Sequence, residues 1–111
     1  MRNLSPIILF TYNRLNTLKK CISSLKKNSL SKYSKIYIFS DAPKNSNQIN
    51  KVEIVRKYIR KIHGFKKKKI FYRKVNYGLA KNIISGVTEI LNKEKKAIIL
   101  EDDLIFSKNF L

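Results

Sequence analysis

Four short apolar runs alternate with three longer stretches of helical periodicity, and this alternation restricts the chain more than any other feature. The runs are Pro6–Phe10, Ile36–Phe39, Ile70–Arg73 and Ala97–Leu100. Between them, Leu15, Leu18, Cys21, Ile22 and Leu25, then Val52, Val55, Ile59 and Ile62, then Leu79, Ile83, Val87, Ile90 and Leu91 recur three or four residues apart. That spacing gives each helix one apolar face. The order β-α-β-α-β-α-β predicts an α/β fold: a mainly parallel sheet of about four strands, right-handed crossovers and three flanking helices. With 111 residues, the chain is expected to form one small domain.

Local signals refine the boundaries. Asn28-Ser29 is a plausible stop for the first helix, and Pro43 disfavours helix at Ala42, so a loop from Asp41 to about Asn47 should follow the second strand. Asn50 and Glu53 have capping-box spacing for a helix from near Gln48 to Ile62, which Gly64 would end. His63, the sole histidine, sits where a helix dipole and solvent suffice to explain it, and with no second histidine or neighbouring cysteine a zinc site is not expected. Cys21, the one cysteine, reads as a packed thiol on an apolar face. Lys66-Lys67-Lys68-Lys69 ahead of the third strand suits the solvated edge of a sheet.

Polar residues collect where strands end. Thr11-Tyr12-Asn13-Arg14 follows the first strand, Ser40-Asp41-Ala42-Pro43 the second, Val75-Asn76-Tyr77-Gly78 precedes the third helix, and Glu101-Asp102-Asp103 follows the fourth strand. In an open parallel sheet all four corners fall on the carboxyl edge, where ligands bind. Lys81 and Asn82 belong to the first turn of the third helix, whose free N–H groups suit a phosphate. Asp41 is open to two readings, a turn or cap aspartate and a ligand-binding one.

The acidic triplet stands out because the chain has 7 Asp+Glu against 25 Lys+Arg. Adjacent carboxylates repel, and a divalent cation is a usual way of keeping them ionised together. A solvated strand end, or pairing with lysines, is the competing explanation. A P-loop is excluded: no G-x-x-x-x-G-K-[ST] occurs, and there are only 3 glycines.

The net charge of +18 would attract nucleic acid, anionic lipid headgroups or nucleotide diphosphates. Lysine, asparagine and isoleucine rising together can also reflect A/T-rich coding, so the charge alone does not choose among partners. A basic nucleic-acid or membrane-surface binding module is the competing function. Zinc-finger spacing and an aromatic RNA-binding signature are both missing, which disfavours nucleic acid. No apolar run approaches the roughly 20 residues of a spanning helix, and the first run is too short for a signal peptide. The expected location is the cytoplasm, and a peripheral position at the inner face of the membrane is open to so basic a chain.

The stretches Pro6–Arg14, Phe39–Lys44, Asn76–Val87 and Leu100–Leu104, closing with Phe110-Leu111, together resemble the N-terminal, nucleotide-sugar-binding half of a GT-A glycosyltransferase. The likeness is to bacterial glycosyltransferase family 2 and to the N-acetylglucosaminyltransferase I family. Each stretch is weak alone; their order over nearly the whole chain is specific.

The resemblance implies a Rossmann-like GT-A half-domain over residues 1–111, acting in hexosyl or N-acetylhexosaminyl transfer from a nucleotide-diphosphate sugar, a UDP-sugar being favoured. It implies that Thr11, Asn13 and Arg14 line the base and ribose, that Asp41 accepts from the base's imide N–H, and that Lys81 and Asn82 face the diphosphate. Glu101-Asp102-Asp103 would stand for the family's DxD motif, with Asp102 at the ribose or donor sugar and Asp103 on Mn²⁺ or Mg²⁺. Ala42 departs from the glycine often found there. The acceptor, a glycan or lipid-linked hydroxyl, and the general base belong to a half expected beyond Leu111, so this chain alone is expected to be inactive in transfer.

Overall fold

The computed structural model describes residues 4–102. Asp103, the expected metal ligand, and the Phe110-Leu111 stretch lie outside the described residues. The element order is β1 (Ile7–Thr11), α1 (Leu15–Lys26), β2 (Lys35–Ser40), α2 (Ile49–Lys61), β3 (Lys67–Tyr72), α3 (Leu79–Leu91) and β4 (Ile98–Glu101), with short 3-10 helices at Ser31–Tyr33 and Ser46–Gln48. The expected alternation of four strands and three helices is therefore observed.

The sheet order is β3-β2-β1-β4, and every pair is parallel. β1 is buried at all five positions, as a central strand covered on both faces must be. Its alternate residues serve different layers. Ile7 and Leu9 join Leu18, Ile22, Val55 and Ile59 beneath α1 and α2, while Ile8 and Phe10 join Tyr37, Phe39 and Ile90 beneath α3. The first two crossovers step away from β1 in one direction, and the third returns to its other side. Right-handed connections then require α3 on the opposite face from α1 and α2, as found.

Several boundaries differ from the sequence reading for identifiable reasons. β3 starts at Lys67, so three of the four lysines are paired strand residues. Lys68 Nζ donates to the carbonyls of Ile59, Arg60 and Ile62 at 2.9, 2.9 and 2.8 Å, capping the end of α2 with a cation where the dipole favours one. Burial lowers its pKa below the usual lysine value. β3 is a sheet edge, as the lysine run suggested. The Asn50–Glu53 capping box does not form: Gln48 is the N-cap without a side-chain capping bond, and Asn45 instead accepts from Asn47 N at 3.1 Å and starts the preceding 3-10 turn. On β4, Leu100 is buried and Ile99 is 46% exposed, so the described residues cover only one face of β4.

At the amino end of the sheet, Glu94 accepts from Tyr37 Oη at 2.7 Å and Lys35 Nζ at 3.2 Å. These bonds lower the Glu94 pKa; burial first, then Glu94, pushes that of Tyr37 up to about 12. The depressed carboxylate contributes stability above its unfolded pKa that is lost as pH falls through the folded one; the raised phenol contributes below pH 10 and is lost as pH rises to about 12. Glu94→Gln is therefore expected to lower stability by about 1 kcal/mol near pH 7. Urea unfolding across pH should show the gap from the parent closing at both extremes. A constant gap would assign the loss to packing.

Candidate functional site

Four segments converge at the carboxyl edge of the sheet around a cavity of about 460 Å³, a size suited to a small ligand. It opens beyond the carboxyl ends of β1 and β4, the point at which the strand order reverses, and open α/β sheets bind ligands there. Thr11, Asn13, Arg14, Asp41, Asn82, Glu101 and Asp102 line it, together with Phe10, Tyr12, Lys44, Asn76, Gly78 and Leu79.

The corner after β1 is fixed by its own side chains. Thr11 is buried and donates through Oγ1 to Phe39 O at 3.3 Å, across to β2. Asn13 Nδ2 donates to Gln48 Oε1 at 2.7 Å, tying this corner to the start of α2. Arg14, the N-cap of α1, reaches Asp102 Oδ1 with Nη2 at 3.0 Å; the Arg14 side chain is 56% exposed and that of Asp102 only 6%. A buried carboxylate at the end of β4 is thereby neutralised by a cation rooted at the end of β1.

The Asp41 carboxylate is engaged on both oxygens. Oδ1 accepts from the backbone N–H of Ala42 and of Tyr77, both at 2.9 Å. Oδ2 accepts from Gly78 N at 3.0 Å and from Asn76 Nδ2 at 3.4 Å. A carboxylate offers about four acceptor positions, and this one, 5% exposed, has a donor at each. Both readings of Asp41 must accommodate this: it holds the turn leading into α3, and a base imide would have to replace the long Asn76 bond. Asn76 stays anchored by a 2.7 Å bond to Ala42 O. Gly78 takes φ +78° as the N-cap of α3, a left-handed conformation that favours glycine.

Asn82 is buried, and its Oδ1 accepts from Arg73 Nε at 2.9 Å, which leaves its amide N–H groups as the donors. Arg73 lies between the rings of Phe39 and Tyr77, 4.8 and 4.4 Å from their centroids. Lys81 is exposed, with Nζ 4.7 Å from the Tyr77 centroid, and does not line the cavity. Its place in the first turn of α3 turns it outward while Asn82 turns in. Glu101 is half-buried on the rim, and its carbonyl faces Cys21 Sγ at 3.9 Å. Among the described residues no group of three or more His, Cys, Asp or Glu side chains is positioned to hold a metal ion.

Sequence reasoning did not assign Tyr12 and Lys44 a place in the cavity, nor Arg56 a role in holding the strand ends beside it. Tyr12 Oη accepts from Lys44 N at 2.9 Å, bridging two of the corners. Arg56 binds Ser40 Oγ and the carbonyls of Ser40, Asp41 and Arg73 at 2.9 to 3.2 Å, closing the ends of β2 and β3 together. Tyr12 sat within a recognised polar corner; nothing in the helical pattern marked Arg56.

Residues 7–111 match the family model described as glycosyl transferase family 2. The chain belongs to this family. Glycosyl transferase family 2 membership accounts for a Rossmann-like sheet with its polar residues gathered on one edge. Similar solved structures include the crystal structure of S. aureus TarS, with a TM-score of 0.63, 18% identity, and coverage of 93% of this chain and 17% of that one. The crystal structure of S. aureus TarS 1-349 matches with a TM-score of 0.63, 19% identity, and 93% and 28% of the two chains. The chain thus spans less than a third of either structure's length, and the likeness shows a shared GT-A fold. A search of curated proteins finds no match.

Proposed function

We propose that the cavity is a donor site for a nucleotide-diphosphate sugar, a UDP-sugar by preference, used in hexosyl or N-acetylhexosaminyl transfer to a glycan or lipid-linked hydroxyl. The observation that carries this is the convergence of Thr11, Asn13, Arg14, Asp41, Asn82, Glu101 and Asp102 on one cavity at the strand-order reversal. In this reading Thr11, Asn13 and Arg14 border the base and ribose, and Asn82 offers its amide donors to the diphosphate. Lys81, exposed in the first turn of α3 and outside the cavity lining, supplies longer-range positive charge. Asp41 fixes the turn against which the base rests, and Asp102, held by Arg14, borders the ribose or the sugar.

The acids suit a hard divalent cation: Glu101 and Asp102 offer oxygen, and Mg²⁺ and Mn²⁺ are commonly held by one or two carboxylates with substrate phosphates completing the shell. Asp103, next in sequence, is the proposed ligand, with Glu101 and Asp102 beside it. When bound, such a cation stabilises the negative charge that develops on a departing nucleoside diphosphate. No general base is assigned, and this chain by itself is expected to bind donor nucleotide and transfer no sugar, which a transfer assay reads directly.

Calorimetric titration with UDP, with and without Mn²⁺, tests the reading. The expected result is metal-dependent binding that Asp103→Ala abolishes, with the unfolding midpoint unchanged. Equal binding by parent and variant would remove Asp103 from the site. Duplex DNA binding without metal-dependent UDP binding would overturn the donor-site reading altogether.

A further inference from the structure

The positive charge is distributed unevenly over the three helices. α1 carries three lysines and no acid, and α2 five basic residues against Glu53. On the opposite face, α3 carries one of each, Lys81 and Glu89. A coding bias toward lysine would load exposed positions of all three helices alike. Instead the exposed cations Lys19, Lys20 and Lys26 of α1 and Lys57, Arg60 and Lys61 of α2 share one layer, and Lys19 Nζ lies 5.8 Å from the Tyr58 ring of α2, where the two helices adjoin.

Two aliphatic side chains of α2, Ile49 and Ile54, are 48% and 49% exposed in this basic setting. Ile54 and Lys51 rim a second cavity of about 480 Å³ that shares Asn13 and Arg14 with the first. The basic layer and the mouth of the main site are therefore contiguous.

We propose that the outer face of α1 and α2 docks on an anionic membrane surface. Lysine predominates on it, and lysine acts as a mobile point charge suited to a diffuse layer of headgroups, whereas reading of a fixed phosphate array favours arginine forks. Exposed isoleucines among the lysines have an acyl boundary to enter on a bilayer and no counterpart on a nucleic-acid backbone. Seated this way, the chain holds its cavity beside the membrane.

Cosedimentation of the chain with phosphatidylcholine vesicles, with and without phosphatidylglycerol, tests the assignment. Binding should require the anionic lipid and weaken as salt is raised. Lys57→Glu/Lys61→Glu should reduce it about tenfold or more, while Lys93→Glu/Lys95→Glu, with the same change in net charge, should reduce it less than about twofold. Ile54→Ser should weaken binding that remains at high salt. Equal losses from the two double variants would show a response to net charge alone and overturn the face. Duplex DNA binding that depends on Lys57 and Lys61, with no vesicle binding, would overturn the membrane. Circular dichroism and unfolding midpoints of each variant separate lost docking from lost fold.

Discussion

Asp41→Ala is expected to lower the stability of the chain by about 3 to 4 kcal/mol with no ligand present. The carboxylate receives three backbone N–H groups and the Asn76 amide, and hydrogen bonds to an ionised group contribute about 1.5 to 3 kcal/mol each before non-additivity. Alanine would strand the N–H groups of Ala42, Tyr77 and Gly78, although water can reach the half-buried turn and recover part of the loss. Urea unfolding measures the effect. Asp41→Asn is the sharper comparison, since its NH2 would face N–H donors and should leave most of the loss in place. If either variant unfolds at the parent's urea concentration yet loses nucleotide binding, Asp41 is a ligand-binding group and its turn-holding bonds contribute little.

Gly86→Leu is the second large effect, expected at about 3 kcal/mol or more. Gly86 lies in α3 directly over the sheet, and a Cβ there would come within 2.9 Å of Phe10 Cε1, 3.0 Å of Phe10 Cζ and 3.2 Å of Phe39 Cε2. The rings cannot turn aside independently: Phe10 stacks on Phe39 with centroids 5.3 Å apart, and Phe39 on Phe71 at 4.5 Å. Gly86→Ala tests the same contact more gently, because a helix gains about 1 kcal/mol from alanine over glycine, against a clash cost of roughly 1 to 3 kcal/mol. Leucine adds only clash. An unfolding midpoint for Gly86→Leu close to the parent's would mean that α3 stands off the sheet.

The alternation of elements was readable because apolar spacing records burial directly: the run from Ile7 to Leu9 and the stripe Leu18, Ile22, Leu25 are buried as their periods require. The gathering of polar corners on one edge followed from parallel topology alone. Three things were not readable. Strand order depends on which side of β1 the last crossover returns to, and no residue of β4 encodes that choice locally. The partners of Asp41 depend on a turn 35 residues away in sequence closing over it. Lys68 in a run of lysines looks like its neighbours until the end of α2 is placed against it. The capping box did not form, and Asn45 starts the preceding 3-10 turn instead.

The position of β4 also dictates the order in which the site can be assembled during synthesis. β1 pairs with β2 through neighbours about thirty residues apart, but its pairing with β4 joins Ile7 to Ile98 and Phe10 to Glu101. Contacts of such sequence separation form late, because a long loop must be closed before they contribute. As the chain leaves the ribosome, β1, β2 and β3 with their helices can assemble first, leaving one flank of β1 with unpaired backbone groups. β4 then pairs with that flank and carries Glu101 and Asp102 in with it. The same pairing that covers the flank of β1 brings the carboxylates to the cavity, so the chain acquires its acidic pole only once β4 has joined the sheet.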